Sequence, residues 1–327
     1  MNLGRIIATL FIFLFALCVV GLLLFVTSSI QALVTPPVRT QSPLVIPLKP
    51  ASTFVIAGTI DENGIAADRQ EYQPFVDYLT KHLRSVGITS VQYIPMEDPT
   101  DIAVAMREQQ VDAVIDSVFP VYVVDELSGA VPILDRWKGG EESYNSVVFV
   151  RASSTIQNLD DLKGKVIAFD SPNSTAGYFL PKAELIQLGY ALTEKSSSTD
   201  SVPPNEIGYV FMHGNVYQSV QDGVTVAGAE SQGEVEGYFG STISQYRYLF
   251  TTHAVPRFLV AVRGDLDPAV TNVFTNVLLG MSSTTDGQQT LFSFADTSRF
   301  TSLTGSSTAY GVVGTLTNLV EDEIIRQ

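Results

Sequence analysis

The sequence predicts an α/β protein of two lobes, preceded by an N-terminal transmembrane helix. Three observations carry this. Short β-branched runs alternate with apolar residues at helical spacing, the pattern of α/β folds with largely parallel sheets. Residues 6–26 hold 21 positions without a charge, about the length that crosses a bilayer as a helix. The 297 residues after position 30 are twice the roughly 150 of an ordinary domain, which suggests two lobes.

Arg5 is the only charge before the apolar run, which favours a cytoplasmic N-terminus. The run is longer than the apolar core of a cleaved signal peptide. It reads as an uncleaved signal anchor, with a cleaved leader as the alternative. Cys18 follows Leu17, where a lipoprotein site needs a small residue, so it reads as lipid-facing. Pro36, Pro37, Pro43, Pro47 and Pro50 make residues 31–50 a stiff spacer. Strands are expected at Thr53–Ala57, Val91–Ile94, Val111–Ile115, Ser146–Val150, Lys165–Phe169, Tyr209–Met212, Thr225–Ala229 and Phe258–Val262. Tyr72, Phe75, Leu79, Leu83 and Val86 repeat at helical spacing and stop at Gly87. Asp98-Pro99 and Asp267-Pro268 each read as a helix cap with proline at the first position. Helices are also expected over Pro181–Leu188 and from Asn215, with a helical turn at Leu159–Leu162 and an exposed loop over 194–205.

Composition narrows the function. The chain has 19 Lys and Arg against 34 Asp and Glu, a net charge of −15, and 45% hydrophobic residues. That hydrophobic content excludes general disorder, and the single cysteine excludes a disulfide scaffold. No basic stripe exists to hold nucleic acid. Residues 31–327 carry 18 of the cations and every acid, so the exposed body is at −16. It has no cysteine, which suits an oxidising compartment. Neither a GxSxG elbow, an HExxH pair nor a Walker A pattern is present. The three histidines are widely spaced, so a zinc site is not indicated. The chain reads as a non-enzyme without a cofactor. A carboxylate pair for ester or glycoside hydrolysis cannot be recognised from spacing alone.

The strongest local signal is residues 165–189. A strand ends at Phe169, Asp170 to Asn173 turn, and Ser174-Thr175 open a helix with Ala176 and Gly177 close by. Helix N-termini at strand ends offer N–H groups and a positive dipole to an anion. Two readings stay open here: an anion site, or Ser174 as a plain helix cap.

Several segments in order resemble the phosphate/phosphite/phosphonate-type periplasmic substrate-binding proteins of ABC importers. They are Val111 to Pro120, Tyr144-Asn145-Ser146-Val147-Val148-Phe149-Val150, Leu159 to Phe169, Asp170-Ser171-Pro172-Asn173-Ser174-Thr175-Ala176-Gly177, and Val255-Pro256-Arg257-Phe258. They fall within about residues 52–303. The resemblance implies a type II binding-protein fold with a ligand cleft between lobes of 51–147 plus 258–327 and 148–257. It also implies hinge closure around the ligand. Ser174, Thr175 and Ala176 align with the oxyanion-binding turn, and Tyr144 and Ser146 with the hinge strand. Asp116 and Ser117 stand where some members place an aromatic contact. Val226 replaces a strand aspartate, with Glu230 following. His213 reads as a structural residue or a contact, and Arg257 as a surface residue or an oxyanion clamp. Trp137 reads as a core anchor before a cleft wall.

The function implied is an extracytoplasmic solute receptor, in the periplasm or at the cell surface, that delivers a small oxyanion to an ABC permease in the membrane. A membrane-anchored ligand sensor of the same fold is the alternative. The −16 opposes anion capture at long range. Screening within about 8–10 Å at physiological salt lets a local nest of donors prevail.

Overall fold

The computed structural model describes residues 49–60, 64–294, 296–303 and 310–318. The expected membrane segment 6–26 and most of the proline-rich spacer lie outside the described residues. Among the described residues no helix is long and apolar enough to cross a membrane.

The fold has two lobes, each built on a six-stranded sheet. The first sheet runs in the order β14 (Thr297–Ser302), β4 (Val131–Lys138), β13 (Phe258–Val262), β3 (Ala113–Ser117), β1 (Thr53–Thr59) and β2 (Ser90–Met96). The second runs β11 (Tyr246–Thr251), β6 (Ser146–Arg151), β10 (Gly228–Ser231), β7 (Val166–Phe169), β9 (Glu206–Phe211) and β8 (Ala191–Glu194). A two-stranded pair, β5 (Ser143–Tyr144) with β12 (Val255–Pro256), stands just ahead of β6 and β13, where the chain passes from one sheet to the other, and matches Tyr144 to Val255.

The sheets are mixed, not largely parallel. In the first, β1 pairs in parallel with β2 and β3, but β13 runs antiparallel to β3 and β4. In the second, β6 runs antiparallel to β10 and β11. Parallel neighbours need a covering crossover helix. β6 and β13 instead arrive from the other lobe, so nothing requires them to run parallel.

Local chemistry explains the elements. The helix Ile65–His82 (α1) buries Tyr72, Phe75 and Leu79, and Gly87 ends the following short turn in the left-handed region at φ 82°. The Asp98 carboxylate accepts the Thr100 N–H at 2.7 Å and caps helix Pro99–Arg107 (α2). Asp267 does the same for Ala269 ahead of helix Pro268–Gly280 (α7). In the second lobe, alternation divides one strand between two cores. Val148 and Val150 pack on one face of β6, Val147 and Phe149 on the other.

Three expected strands are displaced: β9 runs over Glu206–Phe211 rather than Tyr209–Met212, and two others start later than read. β3 begins at Ala113, just after Asp112, whose carboxylate holds Lys49, Arg263 and the Val55 N–H. β10 begins at Gly228, because Thr225 bonds the Ser219 hydroxyl inside the preceding turn. Trp137 is a half-buried residue of β4 rather than a core anchor. Its Nε1 donates to Thr301 Oγ1 at 2.9 Å and Arg299 lies 3.7 Å over its ring.

Candidate functional site

Strand ends build the site. Asp116 and Ser117 close β3, Asp170, Ser171, Asn173 and Ser174 follow β7, and Glu230 lies in β10. All reach a cleft of about 930 Å³, where open α/β sheets bind ligands. Six of the ten sequence candidates line it: Asp116, Ser117, Ser174, His213, Glu230 and Arg257. Tyr144, Ser146, Thr175 and Ala176 are not among its lining residues.

Ser174 is a helix cap, one of the two readings the sequence left open. Its Oγ accepts the Gly177 N–H at 3.0 Å, capping a wide helical turn, Thr175–Phe179, that runs into helix Leu180–Gln187 (α4). It also lines the cleft. Gly177 permits this turn. A Cβ there would lie 2.5 Å from the Asp170 Cβ and 2.7 Å from a Glu230 oxygen.

Thr175 is 1% exposed and joins the lobes. Its hydroxyl donates to Ser117 Oγ at 2.9 Å and accepts the Phe119 N–H at 3.0 Å. Phe119 stacks on Phe179 with centroids 4.2 Å apart. Asn173 adds a bond to the Glu97 carbonyl at 2.7 Å. The Ser146 hydroxyl donates to the Ala176 carbonyl at 2.6 Å, fixing that turn from below.

Arg257 carries the clearest cation. Its two terminal nitrogens donate to Glu141 at 2.5 Å and Glu234 at 3.1 Å, and its guanidinium lies 5.2 Å over Tyr144. Burial pushes the Tyr144 phenol pKa up. The buried Arg257 Nε has no hydrogen-bond partner among the described residues, a costly state for a buried donor.

Asp116 accepts the Thr59 N–H at 2.6 Å, the Thr59 hydroxyl at 2.8 Å and the Ser117 N–H at 2.6 Å. Burial pushes its pKa up, against those bonds. His213 is exposed, with φ 40°. It and Gly214 wrap Asp170, whose carbonyl takes the His213 N–H and whose carboxylate takes the Gly214 N–H. Glu230 accepts the Ser231 N–H at 2.9 Å. Val226 packs against the second-lobe core and is not on the cleft.

Sequence reasoning missed Arg136 and Lys138. They sit two apart on β4, so they share a face, and both line the cleft. Arg136 is 1% exposed. Its Nε donates to Thr297 Oγ1 at 2.8 Å, and its guanidinium lies 4.3 Å over Phe294 and 4.9 Å over Phe258. The Lys138 pKa is lowered by desolvation first, then by Arg136. The Arg-x-Lys spacing was the available signal, but β4 was not recognised as a strand.

The lining balance is acidic. Glu141 and Glu234 hold Arg257, while Asp116, Asp170 and Glu230 accept N–H groups. Asp68, Glu71 and Asp296 complete eight carboxylates against the cations Arg136, Lys138 and Arg257. Its cations are therefore discrete donors among acceptors, and the carboxylates can accept O–H and N–H groups. No group of three or more His, Cys, Asp or Glu among the described residues is placed to hold a metal.

Residues 66–308 match the family described as ABC transporter, phosphonate, periplasmic substrate-binding protein. The phosphate-import protein PhnD of Mycolicibacterium smegmatis is 30% identical over 126 residues, 37% of this chain, and the chain spans 38% of that protein's length. A solved Xanthomonas citri protein, XAC2383 bound to ATP, shares 26% identity at a TM-score of 0.77, covering 83% of this chain and 99% of its own. PhnD1 of Prochlorococcus marinus, solved with methylphosphonate, shares the fold at a TM-score of 0.61 and 19% identity, covering 83% of this chain and 98% of its own. The chain belongs to the phosphonate-type periplasmic substrate-binding protein family of ABC transporters.

Proposed function

We propose that this chain is the extracytoplasmic solute receptor of an ABC importer and captures a phosphorus oxyanion in the cleft between its lobes. The similar proteins are named for phosphate import, methylphosphonate and ATP, which share phosphoryl or phosphonyl oxygens. The observation that carries the reading is Arg257, a buried guanidinium on the cleft whose Nε lacks a partner among the described residues. Ser174 and Ser117 supply hydroxyls, and Lys138 a second charge. Asp116, whose two oxygens accept bonds from Thr59 and Ser117, lines the same cleft. The lobes divide near β5–β6 and β12–β13, with the β5–β12 pair as the hinge. The receptor is tethered by residues 6–26 and docks on a permease in the same membrane.

Calorimetry on the full chain with phosphate, phosphite and methylphosphonate tests this. Arg257→Gln removes a charged donor, for which hydrogen bonds are worth about 1.5–3 kcal/mol. Affinity for the best ligand then falls by roughly 10- to 150-fold. Unchanged affinity in Arg257→Gln refutes the site, and no binding of any of the three refutes the oxyanion reading.

A further inference from the structure

A single small oxyanion would leave most of the 930 Å³ cleft unfilled. At its rim on the second lobe, Tyr217 and Tyr238 stack with centroids 4.5 Å apart and planes 15° apart. Tyr217 is backed by Phe149 at 6.2 Å and Phe239 at 6.1 Å. Tyr238 is the outer ring and is 51% exposed. An exposed aromatic mounted on a packed one is a rigid platform, oriented further by its O–H to Gln218 at 3.3 Å.

The space beside the platform is open. Gly233 and Gly237 both line the cleft on helix Gln232–Phe239 (α6). A Cβ on Gly237 would meet nothing within 4 Å, and the nearest atom to one on Gly233 is a Glu141 carboxylate oxygen at 3.5 Å.

The platform also lies within reach of the oxyanion donors. Glu234, which holds Arg257 at 3.1 Å, precedes Tyr238 by four residues on α6, about 5–6 Å between Cβ atoms. Tyr217 stands three residues beyond Gly214, which is bonded to Asp170 in the Ser174 turn. A ring one helical turn from a bound oxyanion matches the span of a nucleoside monophosphate. The surplus of carboxylates suits that ligand's other part, since Asp and Glu accept sugar hydroxyls and exocyclic amines.

Resting on the oxyanion reading above, we infer that the cleft takes a nucleoside monophosphate-like ligand whose planar base stacks on Tyr238 while its single oxyanion group sits near Arg257 and Ser174. Stacking of a base on an aromatic side chain is sequence-tolerant and worth roughly 5- to 150-fold in affinity.

The test compares adenosine 5′-monophosphate with methylphosphonate by calorimetry on the full chain. The native chain binds the nucleotide about tenfold or more tighter. In Tyr238→Ala that ratio falls to near one, and in Tyr238→Phe, which keeps the ring, it is retained. Methylphosphonate binding with no advantage for the nucleotide overturns this inference alone, as does an unchanged ratio in Tyr238→Ala. Absence of binding for both ligands overturns the oxyanion reading and this inference with it.

Discussion

Thr175 is the residue whose substitution best separates latch from ligand contact. Thr175→Val keeps the shape and removes the hydroxyl that accepts the Phe119 N–H and donates to Ser117 Oγ. With the lobes apposed, the Phe119 N–H is then buried without a partner, at a cost of about 1–3 kcal/mol. With the lobes apart, water satisfies it and the cost vanishes. The substitution therefore shifts the equilibrium toward the open form by roughly 5- to 150-fold. Spin labels at Glu108→Cys and Ser196→Cys, in a Cys18→Ser background, report the separation of the lobes by pulsed electron resonance. The expected result is a longer, broader distance distribution without ligand. Thr175→Ser, which keeps the hydroxyl, stays close to the native distribution. An unchanged distribution in Thr175→Val refutes the latch. A loss of oxyanion affinity with no change in distance returns Thr175 to the role of direct contact.

Two further outcomes follow from the packing. Lys182 is 1% exposed between the Tyr178 and Tyr209 hydroxyls at 2.7 and 2.9 Å, and desolvation lowers its pKa to about 8. The unfolded chain keeps that proton up to the ordinary lysine range, so stability rises with pH from about 8 to 10. Above about 10 the rise reverses, because burial holds Tyr72 and Tyr209 up to about 12 while the unfolded phenols ionise. Lys182→Met reduces the rise, as read from urea midpoints across that range; a midpoint that falls between pH 8 and 10 in the native chain contradicts this. Gly177→Ala drives a methyl against the Asp170 Cβ at 2.5 Å and Ser174 Oγ at 2.8 Å. Such overpacking costs about 1–3 kcal/mol and displaces the Ser174 turn. A lowered urea midpoint together with weakened oxyanion binding is expected, and a native midpoint counts against the tight fit.

Much of the fold was legible because its determinants are local. Phe258–Val262 is an apolar β-branched run, and it forms β13 at those residues. Asp98-Pro99 and Asp267-Pro268 cap helices as their chemistry requires. What escaped were edge and mixed-polarity strands. β4 holds Pro132, Asp135, Arg136 and Lys138, and β11 is half-buried almost throughout. Neither shows the alternation that announces a strand: Arg136 reaches Thr297, and Arg247 reaches the carbonyls of Ala152 and Ser154, both far along the chain.

The candidate site divides the same way. The turn from Asp170 to Gly177 could be recognised from its own residue types. The separation of Ser174 from Thr175 could not, because it depends on which adjacent hydroxyl meets the other lobe. Arg136 gave no sign of burial, since its partners Thr297, Phe294 and Phe258 are more than a hundred residues away. The sequence alone determined the alternation of elements, the caps, the anion-suited turn and the acidity of the body. Only the tertiary structure decided which carboxylates and cations share the cleft, because side chains distant in sequence meet only when both sheets have formed.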